Sequence, residues 1–248
     1  MNFDRIIAVR NDKTVYRDSE RCLKVFNSGY TKADVLNEAL NQARLECSEL
    51  NVPKVLEVTE IDGKWTIISE FVRGKTLEQL MKDSPEKKEE LLRRFVFLQI
   101  QTQGVVCEGL ISLKEKMILN ISRSDLVATT RYDLLMKVEA MHKDNKVCHC
   151  EFEPSNIIVT DAGEVYIVDW AHAAQGDPLA DAARTYLYFY LQGDTDGARQ
   201  YLDLYCEMSA SDAQVVKKWL PLVAAARSTG CNSAERDILI NLVNSQIF

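Results

Sequence analysis

The chain of 248 residues has no long apolar run, no C-x-x-C pair of cysteines and no excess of positive charge. No run approaches the roughly 18 to 20 apolar residues that a membrane-spanning helix needs, and residues 1–5 lack the basic-then-apolar pattern of a secretory signal. We therefore expect a cytoplasmic protein without a membrane partner. None of the seven cysteines forms a C-x-x-C pair, which favours reduced and mostly buried thiols.

Glycine and proline are also scarce, at 10 and 5 residues. Hydrophobic residues make up 46% of the chain and charged residues 27%, a balance that is typical of a folded protein and excludes disorder and collagen-like repeats. A net charge of −7 disfavours a protein that coats nucleic acid, so we expect no nucleic-acid partner. The length predicts one or two domains, since a domain usually has about 150 residues. The oligomeric state is left open.

The first part of the chain predicts an antiparallel sheet with one helix. Short alternating patterns separated by turn residues predict five strands, at residues 6–9, 14–16, 21–26, 54–59 and 65–71. Between the third and fourth strands, Thr31 begins a helical pattern that continues to Leu50. The pattern changes after Gly74, which predicts a domain boundary between residues 1–74 and 75–248.

The second part predicts helices that are interrupted by one hairpin. A short helical pattern begins at Thr76, and further ones lie at residues 85–105, 112–141 and, as three or four helices, 177–248. Between them, strand patterns at 156–160 and 165–170 are joined by the turn Asp161-Ala162-Gly163. The whole order predicts an α+β protein whose mostly helical C-terminal part contains a β-hairpin.

Residues at the two ends of this hairpin carry the chemistry. The hairpin is preceded by Cys148-His149-Cys150-Glu151-Phe152-Glu153-Pro154-Ser155-Asn156 and followed by Asp169. A histidine, an acid two residues later and an asparagine seven residues later fit the kinase catalytic loop H-x-D-x-x-x-x-N, with Glu151 in place of aspartate. The hairpin should return Asp169 beside Asn156, and two such oxygen donors suit Mg²⁺ with phosphate ligands.

Two charged residues of the predicted sheet and helix fit a phosphate-binding pair. Lys24 lies within an apolar strand pattern, and Glu38 follows 14 residues later beside the apolar stripe of the helix. Kinases use such a glutamate to orient a lysine on the nucleotide phosphates. The alternative for Lys24 is an exposed strand lysine whose stem lies along the surface.

The predicted turn between the first two strands contains no glycine, because the first glycine of the chain is Gly29. Residues 10–14 would therefore have to replace a glycine-rich phosphate loop, although close approach of the backbone is harder without glycine. Lys13 would then contribute a charge, whereas the commoner behaviour of a turn lysine is full solvation.

The segment from Cys148 to Leu187 resembles the aminoglycoside phosphotransferase and choline kinase-like family of small-molecule kinases. The matching stretches are Cys-His-Cys-Glu-Phe-Glu-Pro-Ser-Asn, Val-Asp-Trp and Gly-Asp-Pro-Leu-Ala-Asp, where the family commonly has His-Gly-Asp-Phe-His-Pro-Gly-Asn, Ile-Asp-Trp and Gly-Asp-Pro-x-x-Asp. The resemblance implies a two-lobed protein kinase-like α+β fold. In this fold residues 1–74 form a nucleotide-binding lobe, with a five-stranded antiparallel sheet and one helix, and residues 75–248 form a helical catalytic and acceptor-binding lobe.

The resemblance also implies roles for single residues. Glu151 stands at the catalytic base, and Asn156 and Asp169 stand at the Mg²⁺ ligands and complete the catalytic set. Lys24 and Glu38 stand at the phosphates of ATP or GTP.

Further residues match the hinge and the acceptor side of the family pattern. Glu70, Phe71 and Val72 stand where the hinge contacts the adenine, mainly through backbone groups. Trp170 and His172 either line the acceptor pocket or only pack the loop.

Three residues match positions that support the catalytic loop, and two others depart from the family pattern. The supporting residues are His149, Asp177 and Asp181, and we expect Asp177 to cap the following helix. Glu151 replaces the family aspartate, and Cys150 replaces the glycine after the histidine. Because phosphoryl transfer depends on positioning, a displacement of about 1 Å can cost roughly 10²-fold in rate.

The resulting functional prediction is a Mg²⁺- and ATP- or GTP-dependent phosphotransferase. It would move the γ-phosphate to a hydroxyl of a small molecule, which is aminoglycoside-like, a sugar or an amino alcohol. The alternative, favoured by Glu151, is a catalytically impaired pseudokinase that binds a nucleotide or metabolite without turnover.

Overall fold

A computed structural model describes residues 5–10 and 12–245 of the chain. The predicted features at Met1–Asp4 and at Asn11 lie outside these residues. In chain order the strands and α-helices are β1 (Arg5–Val9), β2 (Lys13–Asp18), β3 (Arg21–Phe26), α1 (Lys32–Leu45), β4 (Val55–Ile61), β5 (Lys64–Glu70), β6 (Lys75–Thr76), α2 (Leu77–Asp83), α3 (Lys88–Gly104), α4 (Leu113–Ser122), α5 (Ala128–Ala140), β7 (Lys146–Cys148), β8 (Ile157–Val159), β9 (Val165–Ile167), β10 (Ala174–Gly176), α6 (Pro178–Leu191), α7 (Thr195–Ser209), α8 (Ala213–Lys217), α9 (Leu220–Arg227) and α10 (Ser233–Ser245). Short 3₁₀ helices occupy Pro85–Lys87, Pro154–Asn156 and Trp170–His172.

The described residues group into two compact units. The first unit contains the residues up to Pro85 together with Pro154–His172, and the second contains Glu86–Glu153 together with the residues from Ala173 onward. The predicted hairpin therefore belongs with the N-terminal residues by its contacts. The predicted division into 1–74 and 75–248 stays a prediction.

The first unit is built on the predicted five-stranded antiparallel sheet, with strand order β1-β2-β3-β5-β4. Since successive side chains of a strand point to opposite faces, the central strands β3 and β5 contribute to two apolar layers. On one face Phe26 and Ile67 pack with Val35 and Ala39 of α1. The other face carries the smaller cluster of Leu23, Ile61 and Ile68.

Helix α1 begins where the sequence predicts and ends earlier. Thr31 and Asp34 form a capping box, in which each side chain accepts a hydrogen bond from the backbone N–H of the other residue. The helix stops at Leu45 rather than Leu50. Both the N–H and the hydroxyl of Ser48 donate to the carbonyl of Leu45, at 3.0 and 2.6 Å, and this local turn replaces the next helical hydrogen bonds.

The predicted hairpin is present as β8 and β9, which join β6 in a three-stranded sheet of order β6-β8-β9. Its second strand is shorter than predicted, because β9 ends at Ile167. Asp169 then takes the left-handed backbone conformation, with φ of 68°, which a strand cannot accommodate. This turn takes the chain out of the hairpin immediately after β9.

The second unit consists of α3 to α10 and the antiparallel pair β7 and β10. The helical pattern predicted over 112–141 contains two helices, α4 and α5, with a break between them. At this break the N–H and hydroxyl of Ser124 both donate to the carbonyl of Ile121 and close a turn, without help from glycine or proline. None of the described helices is both long and apolar enough to cross a lipid bilayer.

The seven cysteines are free thiols in different environments. Only Cys107, Cys148 and Cys150 are buried, whereas Cys47 is exposed and the other three are partly exposed. The expectation that most of the thiols are buried is therefore wrong.

Candidate active site

The first unit contains a buried cluster of charges built from three separate segments. Lys24 of β3 donates from Nζ to Oε1 of Glu38 on α1, and its Nζ lies 3.1 Å from Oδ1 of Asp169, two residues after β9. The Glu38 side chain is 4% exposed and the Lys24 side chain 15%. The structure thus brings Lys24 and Glu38 together, and the alternative of an exposed Lys24 is wrong.

Within this cluster the pKa values of Lys24 and Asp169 are shifted so that both groups stay ionised. Burial alone lowers the pKa of Lys24, but the carboxylates of Asp169 and Glu38 raise it well above its usual value. Burial likewise raises the pKa of Asp169, and the ammonium groups of Lys24 and Lys13 outweigh this and hold it well below its usual range. Asp169 is therefore a carboxylate at any pH near neutrality and is suited to binding a cation.

Lys13 is the unexpected member of the cluster. Its Nζ lies 3.0 Å from Oδ1 of Asp169, and the residue is only 7% exposed. The expectation of a solvated turn lysine is wrong because β2 already begins at Lys13, opposite Phe26 of β3. Residues that face each other in a ladder share one side of the sheet, so Lys13 lies on the side that packs against α1.

Asn156 lies at the start of the hairpin, at the end of a 3₁₀ helix, and is 7% exposed. Its carbonyl accepts a 2.9 Å hydrogen bond from the N–H of Val168, so the two ends of the hairpin are paired immediately before Asp169. An amide oxygen and an ionised carboxylate are hard donors of the kind that Mg²⁺ takes together with phosphate oxygens. The donor set therefore fits Mg²⁺. Among the residues that the structure describes, no group of three or more His, Cys, Asp or Glu side chains forms a metal site by itself.

The predicted hinge follows β5 in the first unit. The N–H of Phe71 donates to the carbonyl of Glu20 at 2.9 Å, and a carboxylate oxygen of Glu70 accepts from the N–H of Lys54 at 3.2 Å. Glu70, Phe71 and Val72 border a cavity of about 490 Å³ together with the turn between β8 and β9. Because the Phe71 N–H is already bonded to Glu20, a nucleotide would have to use the remaining backbone groups of the hinge. The adenine contact stays a prediction.

The first part of the catalytic-loop motif, which contains His149 and Glu151, lies in the second unit after β7. Glu151 is partly exposed, and its backbone N–H donates to Nδ1 of His149 at 3.2 Å. His149 is fully buried, and its ring meets the edge of Phe152 at a centroid distance of 5.8 Å. The histidine therefore holds the backbone at Glu151, and its loop-support role stays a prediction.

Asp181 holds the same loop from α6. Its side chain is fully buried, and Oδ1 accepts from the N–H of Cys150 at 2.7 Å. Its Oδ2 accepts from the side-chain amides of Gln99 and Gln103 on α3, at 3.0 and 2.9 Å. Nothing in the local sequence of α3 marks these two glutamines, and sequence reasoning missed them.

The remaining predicted residues lie in different environments. Asp177 is the N-cap of α6, and its side chain accepts from the N–H of Leu179 at 2.8 Å. Trp170 is fully buried in the first unit and donates from its indole N–H to the carbonyl of Ile167 at 3.0 Å, which favours the packing alternative for this residue. His172 is exposed, and its acceptor-pocket role stays a prediction.

Cys150 shows why the family pattern has glycine at this position. Its φ is 65°, in the left-handed region that glycine adopts without strain, and Arg184 fixes this peptide by donating to the Cys150 carbonyl at 2.5 Å. Burial raises the pKa of the Cys150 thiol to about 11, so the group stays protonated near neutrality and is not a thiolate nucleophile.

A pair of variants isolates this backbone strain. Cys150→Gly and Cys150→Ala both remove the thiol, but only alanine retains a Cβ at the positive φ. We expect the glycine variant to be more stable by about 1 kcal/mol, or about 2–4 °C in melting temperature, measured by thermal unfolding. Equal melting temperatures would mean that the loop relaxes around any side chain at this position.

The chain was compared with protein families, curated proteins and solved structures. Residues 124–219 match the phosphotransferase enzyme family, APH. No curated protein matches the sequence.

Several solved structures have a similar fold at low sequence identity. A thermostable mutant of aminoglycoside phosphotransferase APH(4)-Ia, in ternary complex with AMP-PNP and hygromycin B, aligns with a TM-score of 0.71 and 16% identity over 98% of this chain and 93% of that chain. The GDP complex of an aminoglycoside 2'-phosphotransferase-IIIa mutant aligns with a TM-score of 0.63 and 16% identity, over 99% of this chain and 92% of that chain. Choline kinase LicA from Streptococcus pneumoniae aligns with a TM-score of 0.64 and 14% identity, over 99% of this chain and 94% of that chain. The predicted resemblance and the protein kinase-like α+β fold are confirmed.

Proposed function

We propose that this chain, which resembles the aminoglycoside phosphotransferases and choline kinases in sequence and fold, is an ATP- or GTP-dependent phosphotransferase. It transfers the γ-phosphate of the nucleotide to a hydroxyl of a small molecule in the cytoplasm. Residues 1–74 bind the nucleotide and residues 75–248 contribute the catalytic loop and the acceptor site.

The buried cluster of Lys24, Glu38 and Asp169 is the observation that carries this proposal. Its members come from β3, α1 and the end of the hairpin, and lie up to 145 residues apart in the chain. Burying ions costs several kcal/mol each, and apolar residues serve a purely structural role more easily. A paired lysine and a permanently ionised aspartate are, in contrast, what the binding of a metal-nucleotide complex needs.

The residues of the first unit provide binding and charge stabilisation. Glu38 orients the ammonium of Lys24, which contacts the phosphates. Asp169 and Asn156 would hold Mg²⁺, and the ion when bound neutralises charge on the transferred phosphate. Glu151 of the second unit accepts the proton of the acceptor hydroxyl, or aligns that hydroxyl for attack.

The activity is tested with the wild-type chain. Consumption of ATP and GTP is measured with and without Mg²⁺ against a panel of aminoglycosides, sugars and amino alcohols, and each mixture is examined for a phosphorylated product by mass spectrometry. We expect Mg²⁺-dependent consumption with at least one acceptor. Absence of both turnover and Mg²⁺-dependent nucleotide binding would contradict the proposal.

Glu151 is tested by two substitutions that differ in what they keep. Glu151→Gln keeps the length of the side chain and removes its basicity, so we expect kcat to fall by about 10²- to 10⁴-fold with an unchanged KM for the nucleotide. Glu151→Asp keeps the carboxylate but shortens the side chain by one methylene. Because His149 and Asp181 hold the loop in place, the loop cannot easily move to compensate. A displacement of about 1 Å lowers the rate roughly 10²-fold, so we expect a fall in kcat of that size.

The pseudokinase alternative predicts the opposite result for Glu151→Asp. If Glu151 were a lesion in a formerly active site, restoring aspartate would raise kcat from a negligible value. A large gain in Glu151→Asp, together with nucleotide binding but no turnover in the wild type, would favour the pseudokinase. The steady-state kinetics of the three proteins decide between the two functions.

A further inference from the structure

Lys13 is a buried lysine for which the proposed mechanism has no use. Its Nζ lies 3.0 Å from Oδ1 of Asp169, 3.9 Å from a carboxylate oxygen of Asp12 and 4.0 Å from one of Glu38. Lysine is almost never buried unless it is paired, because its ammonium loses strong hydration. The three carboxylates supply that pairing, so the buried position of Lys13 is specified by the fold.

Two lysines converge on the same atom in this cluster. Lys13 of β2 and Lys24 of β3 both lie within 3.1 Å of Oδ1 of Asp169. Two ammonium groups that share one carboxylate oxygen repel each other, and an additional anion between them relieves that repulsion. The arrangement is therefore suited to a ligand that carries several negative charges close together.

The turn that leads to Lys13 contains no glycine, so close approach of its backbone to a phosphate is harder. Of its described residues, Arg10 donates its N–H to the carbonyl of Lys13 at 2.9 Å, and the carbonyl of Asp12 accepts from the N–H of Asn27 at 2.8 Å. These bonds close the turn and tie it to β3, and the ammonium of Lys13 is a source of phosphate contacts that does not depend on the backbone.

We infer that Lys13 is a second phosphate-binding lysine, whose ammonium makes the contacts that glycine-rich loops make through backbone N–H groups. This inference rests on the proposed function, since the ligand is the di- or triphosphate chain of a nucleotide. An ammonium has three rotatable donors on a flexible stem and acts as a point charge toward phosphate. A metal ion bound to Asp169 would compete with the Lys13 ammonium for that carboxylate. The phosphate chain of the nucleotide would then supply another anion that pairs with Lys13.

The test measures binding rather than turnover. Dissociation constants of AMP-PNP, ADP and AMP are determined by calorimetry, with Mg²⁺ present, for wild type, Lys13→Met and Lys64→Met. Methionine keeps most of the length of the lysine stem and removes the charge. Lys64 is an exposed lysine of the same sheet, next to the turn between β4 and β5, and it is the matched control. The melting temperature of each variant shows that it is folded.

We expect Lys13→Met to weaken AMP-PNP and ADP by about 10- to 100-fold, the usual loss for a hydrogen bond between charged groups. Binding of AMP should change little, since AMP lacks the β- and γ-phosphates, and Lys64→Met should bind all three nucleotides like the wild type. Unchanged AMP-PNP affinity in Lys13→Met overturns the inference and leaves the proposed function standing. An equal loss for AMP and AMP-PNP also overturns it, because Lys13 would then only support the sheet. Failure of the wild type to bind any nucleotide rejects the proposed function itself.

Discussion

Asp169→Asn is expected to lower kcat by about 10³-fold or more and to remove the Mg²⁺ dependence of nucleotide affinity. The substitution keeps the shape of the side chain and replaces an ionised carboxylate with a neutral amide, whose oxygen can contact Mg²⁺ but brings no negative charge to hold it. Asparagine also tolerates the left-handed conformation at this position, where φ is 68°, so backbone strain does not confuse the result.

The same substitution also changes the electrostatics of the buried cluster. Lys24 and Lys13 would keep Glu38 but lose the charge of Asp169, so the pKa of Lys24 should fall from its raised value. Breaking a buried ion pair costs up to about 3–5 kcal/mol. Because the Asp169 side chain is partly exposed, we expect the loss of stability to be at or below the lower end of that range. Urea unfolding at neutral pH measures this loss separately from the loss of activity.

Asp62→Asn is the matched control for Asp169→Asn. Asp62 is an exposed residue of the turn between β4 and β5 and also has a positive φ, of 50°. Its substitution should leave kcat, Mg²⁺ dependence and stability unchanged. A kcat within about tenfold of wild type in a folded Asp169→Asn would mean that Asp169 does not hold the metal.

The sequence was sufficient for the parts of the site that lie close together in the chain. His149, Glu151 and Asn156 fall within eight residues, and the hairpin that follows has a clear turn between two apolar strands. The strand around Lys24 and the helix around Glu38 also had strong periodic patterns, so their pairing followed from the β-β-β-α order. The periodic patterns that predict a strand, a helix or a tight turn depend only on residues that are close together in the chain, so they can be recognised in the sequence itself.

The buried position of Lys13 could not be predicted, because it depends on register and on distant residues. A one-residue shift of β2 against β3 would turn the side chain of Lys13 to the other face of the sheet. Its main partner, Asp169, is 156 residues away. The strands β7 and β10 were missed for another reason: they are as short as β8 and β9, but no tight turn such as Asp161-Ala162-Gly163 joins them in the sequence.

The glutamines of α3 were missed because their partners lie far away in the sequence. Gln99 and Gln103 are one helical turn apart and on one face of α3, and both contact Asp181 about 80 residues later. On the sequence alone they resemble the solvated residues of an amphipathic helix. Burial of these amides is acceptable because Asp181, two tyrosine hydroxyls, the Thr185 hydroxyl and the Pro178 carbonyl satisfy their hydrogen bonds.

Asp181→Asn is expected to destabilise the folded state by about 3 kcal/mol, or about 6–12 °C in melting temperature. The Asp181 carboxylate accepts bonds from Cys150, Gln99 and Gln103, all of which are donors. Asparagine has one acceptor oxygen, so its NH₂ group must face at least one of these donors without a hydrogen bond. The site is fully buried, and water does not replace the lost bond.

Rotation of the glutamines offers no inexpensive escape from this conflict. The amide oxygen of Gln99 accepts from the hydroxyl of Tyr201 at 2.7 Å, and that of Gln103 accepts from the hydroxyl of Tyr205 at 2.8 Å. If either glutamine amide flipped to accept from the introduced asparagine, the NH₂ group of that glutamine would face its tyrosine hydroxyl. In the native structure this hydroxyl donates a hydrogen bond to the glutamine, so the hydroxyl would also have to reorient. The network therefore transmits the substitution from α6 through α3 to α7.

Asp181→Asn should also separate loop geometry from nucleotide binding. Asp181 holds the N–H of Cys150, one residue before Glu151, whereas the charge cluster with Lys24 lies in the first unit. We expect a lower kcat with an unchanged dissociation constant for AMP-PNP, measured at a temperature where the variant is folded. Asp203→Asn, on the exposed face of α7, is the control and should match the wild type in both. A melting temperature within about 1 °C of wild type in Asp181→Asn would show that the buried carboxylate contributes little to stability. The catalytic loop would then be held in place by His149 and Arg184 instead.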